Sequence, residues 1–400
     1  MNSRNERIRT DNSLSAGGDP HIKVAVVIPK YGLVGGAEGF AFELTERLAM
    51  RGRFEIHLFA NQARLGKAPV TFHRVPMPRF PRFMRQISFA AFAQRQIRRG
   101  GFDLIHSHDR MFRLHLLTMH AIPHERWIRE VRHKRLTLFD RAMAWVERKG
   151  LTGTDMRMVL PVSGLVKEEL QKTYPIPTRR MRVIHPGISE ERFASLDRGI
   201  CRRRIRTRHG LSESDVVVLF VGMNFEIKRL GLIMEGLGDL IHKEDRGADL
   251  KLLVVGKGDA LPYQALARHL GIEERIIFAG VTREVETYYL ASDIFVMPSV
   301  FDTFGMAVLE AMAASLPVVI TQKVGARDLL TDGVQGFILG DLPTPIALAA
   351  RIALLLDPER RMKMGEKARA TALQHTWDRV ADEMEAVYLM QRGLDFDRED

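Results

Sequence analysis

Asp302 and Glu310 are the residues of this sequence whose types and placement best suit chemistry. They lie in DIFVMPSVFDTFGMAVLEAMAASLPVVIT (293–321), where a strand ends near Pro298, a loop carries Asp302 and Gly305, and a helix runs to about Ala314. Glu310 is the one charged residue of the MAVLEAMAA stretch. Burying an unpaired carboxylate costs several kcal/mol, so Glu310 either stays partly exposed or faces a ligand. An ionised carboxylate only accepts hydrogen bonds, which suits sugar hydroxyls. Asp302 and Gly305 fall where a strand gives way to a helix start. The unpaired N–H groups and positive dipole end there favour an anion, and Gly305 keeps the approach of a phosphate clear of a side chain. Plain helix capping by Asp302 or Thr303 accounts for the same local pattern. Upstream, VGMNFEIKRLG (221–231) sets Lys228 and Arg229 after a strand, fit for a phosphate or merely for a solvated surface.

The elements that must position these groups alternate between strand and helix. HIKVAVVIP (21–29) reads as a buried strand, YGLVGGAEG (31–39) as a loop, and the next residues as an amphipathic helix ending at Gly52. FEIHLFA (54–60), FDLIHSH (102–108) and MVLPVS (158–163) are strand-like, with helical patterns at about 86–99 and 128–149. The pattern restarts with DVVVLFVG (215–222), LKLLVVG (250–256), RIIFAG (275–280), DIFVMPS (293–299) and PVVIT (317–321), and about 345–390 is helical. Strands alternating with helices predict parallel sheets covered on both faces, and two successive sets predict two doubly wound α/β domains. The expected division is a loose tail over 1–20, a first domain over 21–190, a second over 191–375, and a C-terminal helix and tail over 376–400 packing back on the first. The glycines of GLVGGAEG lack the dinucleotide-binding spacing, and the P-loop lysine motif is absent. His106, His108 and Asp109 offer two imidazoles on one strand face but no third ligand, so that segment reads as a cleft edge rather than a metal site.

The net charge of +11 divides unevenly. Residues 1–186 hold 33 Lys and Arg against 16 Asp and Glu, a net of +17, whereas 187–400 hold 27 against 33, a net of −6. The basic half suits an anionic partner: a membrane surface, a phosphorylated glycan or nucleic acid. Its excess concentrates in two stretches. Residues 78–99 carry Arg79, Arg82, Arg85, Arg95, Arg98 and Arg99 among Phe80, Phe83, Phe89 and Phe92. Residues 125–149 carry Trp127, Arg129, Arg132, Lys134, Arg135 and Trp145. Cations beside large apolar groups fit an interfacial helix on anionic lipid, or else a core of aromatics with solvated arginines. The single cysteine, Cys201, excludes an internal disulfide and fits a reducing compartment. No apolar run reaches the roughly 18–20 residues of a membrane span, and the polar first twenty residues lack the apolar core of a secretion signal.

The 293–336 segment resembles the retaining family 4 glycosyltransferases of GT-B fold, which carry Glu-x7-Glu followed by an apolar helix and a PVV strand. Asp302 and Glu310 fall at that spacing, the first carboxylate one methylene shorter than the family's glutamate. The resemblance runs from about residue 22 to about 390. It implies that Glu310 binds the ribose of a nucleotide and that Asp302 holds the donor sugar, with Thr303, Phe304, Gly305 and Met306 around it. It implies that Lys228 neutralises the donor pyrophosphate, with Arg229 standing in for an arginine whose place is taken by Met223. Gly280 and Val281 would lie against the base, and Gly35 and Gly36 beside the donor phosphate and acceptor. His120, in HLLTMHAIPH, would stand at the reacting centre, so the catalytic roles fall to His120, Asp302 and Lys228. The implied fold is two Rossmann-like domains facing a cleft. The implied activity is transfer of a hexose from a nucleotide-diphosphate sugar, UDP-linked, with retention of configuration and without a cofactor or metal. The expected acceptor is an anionic cell-envelope glycan or glycolipid of lipopolysaccharide-core type. The expected location is cytoplasmic, peripheral at the inner face of the cytoplasmic membrane, with Arg79, Arg82, Arg85, Arg95, Trp127, Arg129, Arg132 and Arg135 as membrane or acceptor face. Two rivals remain: a nucleic-acid-binding protein using the basic face, against which the recognition motifs are missing, and a catalytically silent membrane-associated scaffold of the same fold.

Overall fold

A computed structural model describes residues 22–396, apart from 34, 79 and 244–248. Arg79, the 1–20 tail and 397–400 therefore lie outside the described residues. The chain forms two six-stranded sheets, every neighbouring pair of strands parallel. The first holds, in chain order, Ile22–Val27, Phe54–Ala60, Val70–Arg74, Leu104–Ser107, Leu116–Met119 and Met158–Pro161. The second holds Val216–Val221, Leu250–Val255, Ile276–Gly280, Ile294–Met297, Val318–Thr321 and Gly336–Leu339. Counted along the chain, the strands of each sheet lie in the order 3-2-1-4-5-6. That order reverses direction between the first and fourth strands, and the crevice beyond their carboxyl ends is where ligands of such sheets bind. Both sheets are covered on both faces, which is why their central strands are unbroken apolar runs rather than alternating ones. Val24, Val27, Leu104, Leu116, Val218, Leu219, Ile294 and Val296 have no exposed surface.

One helix differs from the sequence expectation. The 128–149 pattern is broken: short helical turns cover His124–Val131, and the long helix is Leu138–Leu151. Thr137 starts the latter with a capping box, its hydroxyl accepting from Asp140 N at 3.2 Å while Asp140 Oδ2 accepts from Thr137 N at 2.9 Å. Two otherwise orphaned N–H groups are thereby satisfied, and the basic residues His133–Arg135 before it have no apolar stripe to bury.

The chain passes between the domains twice, side by side. Ile188 N donates to His375 O (2.8 Å) and Trp377 N to Ile188 O (3.3 Å). Gly187 permits this crossing, since a Cβ there would stand 2.5 Å from Trp377 N. The final helix, Trp377–Phe396, lies against the Gly36–Met50 helix of the first domain. Arg47 pairs with Asp378 at 3.0 Å, and Arg51 with Asp382 at 2.6 Å and Glu385 at 2.7 Å. Trp377 meets Phe40 edge-on at 5.2 Å, and the Tyr388 hydroxyl lies 2.7 Å from His106 Nδ1. Across the cleft, Ser163 Oγ donates to Thr303 O (2.5 Å), and Asp328 Oδ2 accepts from Gly164 N (2.6 Å). Among the described residues no helix is long and apolar enough to cross a membrane.

Candidate active site

The two switch points face each other across a cavity of about 620 Å³, lined from both domains. Gly36, Phe40 and His120 enter it from the first domain, and Gly222, Lys228, Val281 and residues 302–307 from the second. Its size falls within the range of small-molecule sites, roughly 300–1,000 Å³. Of the residues singled out from the sequence, Gly36, His120, Lys228, Val281, Asp302, Thr303, Phe304, Gly305 and Met306 are brought together on this one cavity.

Lys228 Nζ and Asp302 Oδ2 stand 2.8 Å apart, both mostly shielded from solvent. The lysine stem lies over Gly222, where a Cβ would come within 2.3 Å of Lys228 Cδ. Asp302 is held by its backbone, N donating to Lys323 O (2.9 Å) and O accepting from Gly325 N (2.9 Å), and its Oδ1 accepts from Phe304 N at 3.3 Å. The capping alternative is not what the chain does. The residue before the Met306–Ala313 helix is Gly305, at φ 90 and with no side-chain cap. A side chain is excluded there by the left-handed backbone and by Met297 Cε and Val324 Cγ1, each 2.9 Å from where a Cβ would sit. The first N–H groups of this helix are therefore uncapped at the cavity wall, beside an ammonium group.

Four expected contacts lie off the cavity wall. Arg229 turns away: its Nη1 donates to Asp341 O at 2.9 Å and contacts Pro298 O at 3.4 Å, so it ties loops of the second domain together. Gly280 sits behind Val281, its carbonyl accepting from Gly256 N (2.8 Å). Gly35 precedes the Gly36–Met50 helix, with the Glu38 carboxylate folded over it. Glu310 lies one turn beyond Met306. Tyr289 donates its hydroxyl to Glu310 Oε2 at 2.9 Å, and Arg192 Nη1 is 3.4 Å from Oε1. Arg192 also reaches Glu286, Nε to Oε1 at 2.6 Å.

Burial raises the Glu310 carboxyl above the ordinary carboxylate range, and Arg192 and the Tyr289 hydroxyl only partly counter it. The folded chain then holds this proton more tightly than the unfolded chain, so this group's contribution to stability falls as pH rises through the carboxylate range. Glu310→Gln removes that slope. Melting curves from pH 4 to 7 should converge on wild type at low pH and separate above it, the variant losing less; parallel curves would refute the assignment.

Three histidines that sequence reasoning left at the cleft edge or read singly form one row. His106 is fully buried, with Nδ1 against Tyr388 and Nε2 against Thr118 Oγ1, each at 2.7 Å. Its ring lies 4.4 Å from that of His108, whose Nδ1 faces His120 Nε2 at 3.1 Å. Burial holds His106 and His120 down at about 3 and His108 well below its ordinary value, so all three are uncharged at neutral pH. His120 and Ala37 also line a second cavity of about 380 Å³ in the first domain, with Lys30, Arg85 and Arg110 on its wall. Among the described residues no group of three or more His, Cys, Asp or Glu side chains is placed to hold a metal ion.

The basic face is split. Arg82, Arg85, Arg95, Arg129, Arg132 and Arg135 are exposed. Arg82 lies over the Phe139 ring at 5.4 Å, and Arg129 pairs with Glu125 at 2.9 Å. Phe80, Phe83, Leu138 and Trp145 are exposed beside them, whereas Phe89 is core. Trp127 departs from the expected face: half-buried, it packs edge-on against Phe301 of the second domain at 6.2 Å.

Two facing doubly wound domains with a shared cleft at both switch points are the GT-B architecture of glycosyltransferases. Sequence families agree. Residues 34–192 match Glycosyltransferase Family 4, and residues 202–371 match Glycosyl transferases group 1. The chain belongs to the group 1, family 4 glycosyltransferases of GT-B fold. The putative glycosyltransferase EpsD of Bacillus subtilis is 31% identical over 225 residues, 55% of this chain, and the match spans only 57% of that relative. The structure of WaaG, a glycosyltransferase involved in lipopolysaccharide biosynthesis, superimposes with a TM-score of 0.76 at 22% identity, covering 91% of this chain and 99% of that one. HepE of Anabaena, solved in complex with UDP-glucose, superimposes with a TM-score of 0.69 at 15% identity, covering 92% and 99%. At these identities the two structures establish fold alone.

Proposed function

We propose that this protein transfers a hexose from a UDP-linked sugar, with retention of configuration, to an anionic cell-envelope glycan or glycolipid of lipopolysaccharide-core type. The observation that carries the donor assignment is the Lys228–Asp302 pair at the uncapped start of the Met306–Ala313 helix, inside a cleft shared by both domains. HepE, of the same fold, binds UDP-glucose. The diphosphate takes the N–H groups at the helix start and the Lys228 ammonium, which neutralise the charge that grows as it leaves, so no metal is needed for that role. Asp302, released from part of its pairing, accepts from hydroxyls of the transferred sugar. Glu310 shares a helix face with Met306, four residues earlier, and is assigned to the ribose hydroxyls. Closure of the domains excludes water, which otherwise competes as acceptor. On this reading, as the family resemblance implies, an oxygen of the departing phosphate takes the acceptor proton on the face from which the acceptor attacks.

The acceptor is assigned to the second cavity. There Arg110 is balanced by Asp109 and by Glu147 (2.9 Å), while Lys30 and Arg85 have no acidic partner among the described residues. Exposed Phe80, Phe83 and Trp145 beside arginines fit a peripheral site on anionic lipid. One preparation tests the donor and membrane assignments. Melting temperatures against UDP-, GDP-, ADP- and CMP-sugars should rise selectively with the UDP-sugars, a ligand at 100 times its Kd adding about 2.7 kcal/mol. The protein should also pellet with anionic vesicles and leave them as salt rises. Indifference to every nucleotide sugar refutes the donor assignment, and salt-independent failure to pellet refutes the membrane one.

A further inference from the structure

The geometry points to His108 as a positioning residue that fixes the ring proton of His120 on Nδ1, so that His120 meets the cleft only as a hydrogen-bond donor. His108 Nδ1 and His120 Nε2 face each other at 3.1 Å, and one proton must lie between them. His108 is 5% exposed, and its other nitrogen, Nε2, is buried and has no hydrogen-bond partner. Two arrangements are available to a pair of neutral imidazoles. If His120 donates from Nε2, the His108 proton must sit on its own Nε2, as an N–H with nothing to receive it. If His108 donates from Nδ1, its Nε2 is a bare lone pair and the His120 proton sits on Nδ1. Both arrangements keep the same hydrogen bond, so the choice rests on what is left dry. Orphaned buried N–H groups are rarer in folded proteins than under-satisfied acceptors, which favours the arrangement that leaves Nε2 as a bare lone pair.

The neighbours close off other outcomes. His106, on the far side of the His108 ring, has both nitrogens committed, to Tyr388 and to Thr118, so it cannot supply a partner. Phe40 packs edge-on against His120 at 4.9 Å and 5.9 Å from His108, fixing the rings without offering a polar atom. The tautomer of His120 matters because this residue lines both cavities. Carrying its proton on Nδ1, it can donate to a sugar hydroxyl or a phosphoryl oxygen. It cannot take up a proton without becoming a buried cation, and its Nε2 lone pair is already used. The consequence for catalysis rests on the transferase reading; the position of the proton does not.

The test is long-range 15N–1H correlation on histidine-labelled protein at pH 7, with wild type, His108→Asn and His108→Leu compared. Asparagine retains an N–H donor near the position of Nδ1, and leucine of similar size has none. Expected is a protonated Nδ1 and an unprotonated Nε2 at His120 as the predominant form in wild type and His108→Asn, and a mixture in His108→Leu. A proton on Nε2 in wild type overturns the proposal, and so does an unchanged His120 pattern in His108→Leu. If the leucine variant does not fold, wild type and His108→Asn decide alone, because a His120 proton on Nε2 in either overturns it. UDP titrated into wild type tests the transferase reading independently, since the ring-proton position is read without nucleotide present.

Discussion

Replacing Lys228 with alanine should weaken UDP binding by about ten- to a hundredfold while leaving the fold intact. The size follows from the loss of one charge-assisted contact to a diphosphate in a shielded cleft. The lysine reaches that place because Gly222 lets its stem lie flat on the backbone and because Asp302 meets its ammonium at 2.8 Å. The variant also strands Asp302, whose negative charge then faces the incoming phosphates, so the measured loss should exceed that of the double variant Lys228→Ala, Asp302→Asn. Isothermal titration of UDP into the three proteins reads both quantities. Equal affinity in wild type and Lys228→Ala would place the diphosphate elsewhere.

The largest expected effect on stability belongs to Arg110→Ala. Its partner Glu147 has a fully buried side chain whose Oε1 accepts from Tyr174 Oη (2.9 Å) and His124 N (3.0 Å), and whose Oε2 accepts from Arg110 Nε (2.9 Å). Removing the arginine leaves a dry carboxylate short of its counter-charge, a change that costs about 3–5 kcal/mol. Urea unfolding should report a loss of that order. The double variant Arg110→Met, Glu147→Gln should recover most of it, because a buried ion pair is weakly stabilising in net terms even where breaking it is expensive. A loss under about 1 kcal/mol would show that water reaches Glu147.

The chain's two-domain plan was legible because buried parallel strands announce themselves as apolar runs. Strands without that signature were missed. Val70–Arg74 is an edge strand with polar and exposed positions, Leu116–Met119 runs on from other apolar residues without a turn to mark it, and Gly336–Leu339 is only four residues long. Of the site, Asp302 and Lys228 could be found from the strand-to-helix transitions that carry them. The partners of Glu310 could not: Tyr289 is 21 positions away and Arg192 is 118, and only folding joins them. His108 and His120 were both noticed, but their pairing depends on adjacent strands of one sheet ending side by side. Arg229 was assigned to phosphate by its neighbour's chemistry, yet its backbone at φ 53 sends the side chain toward Asp341. Trp127 was grouped with the basic face by sequence proximity, although the turn that carries it leads to the other domain.

The crossing at Ile188 and Trp377 has a bearing on how this protein is made. The helix that covers the Gly36–Met50 face and reaches His106 through Tyr388 comes from the far end of the chain, after the whole second sheet. A ribosome therefore releases the first sheet with an apolar flank bare, and that flank is sealed only after the second sheet has been synthesised. Early folding of the first half must therefore proceed with Phe40 lacking its Trp377 contact and His106 Nδ1 lacking its Tyr388 partner.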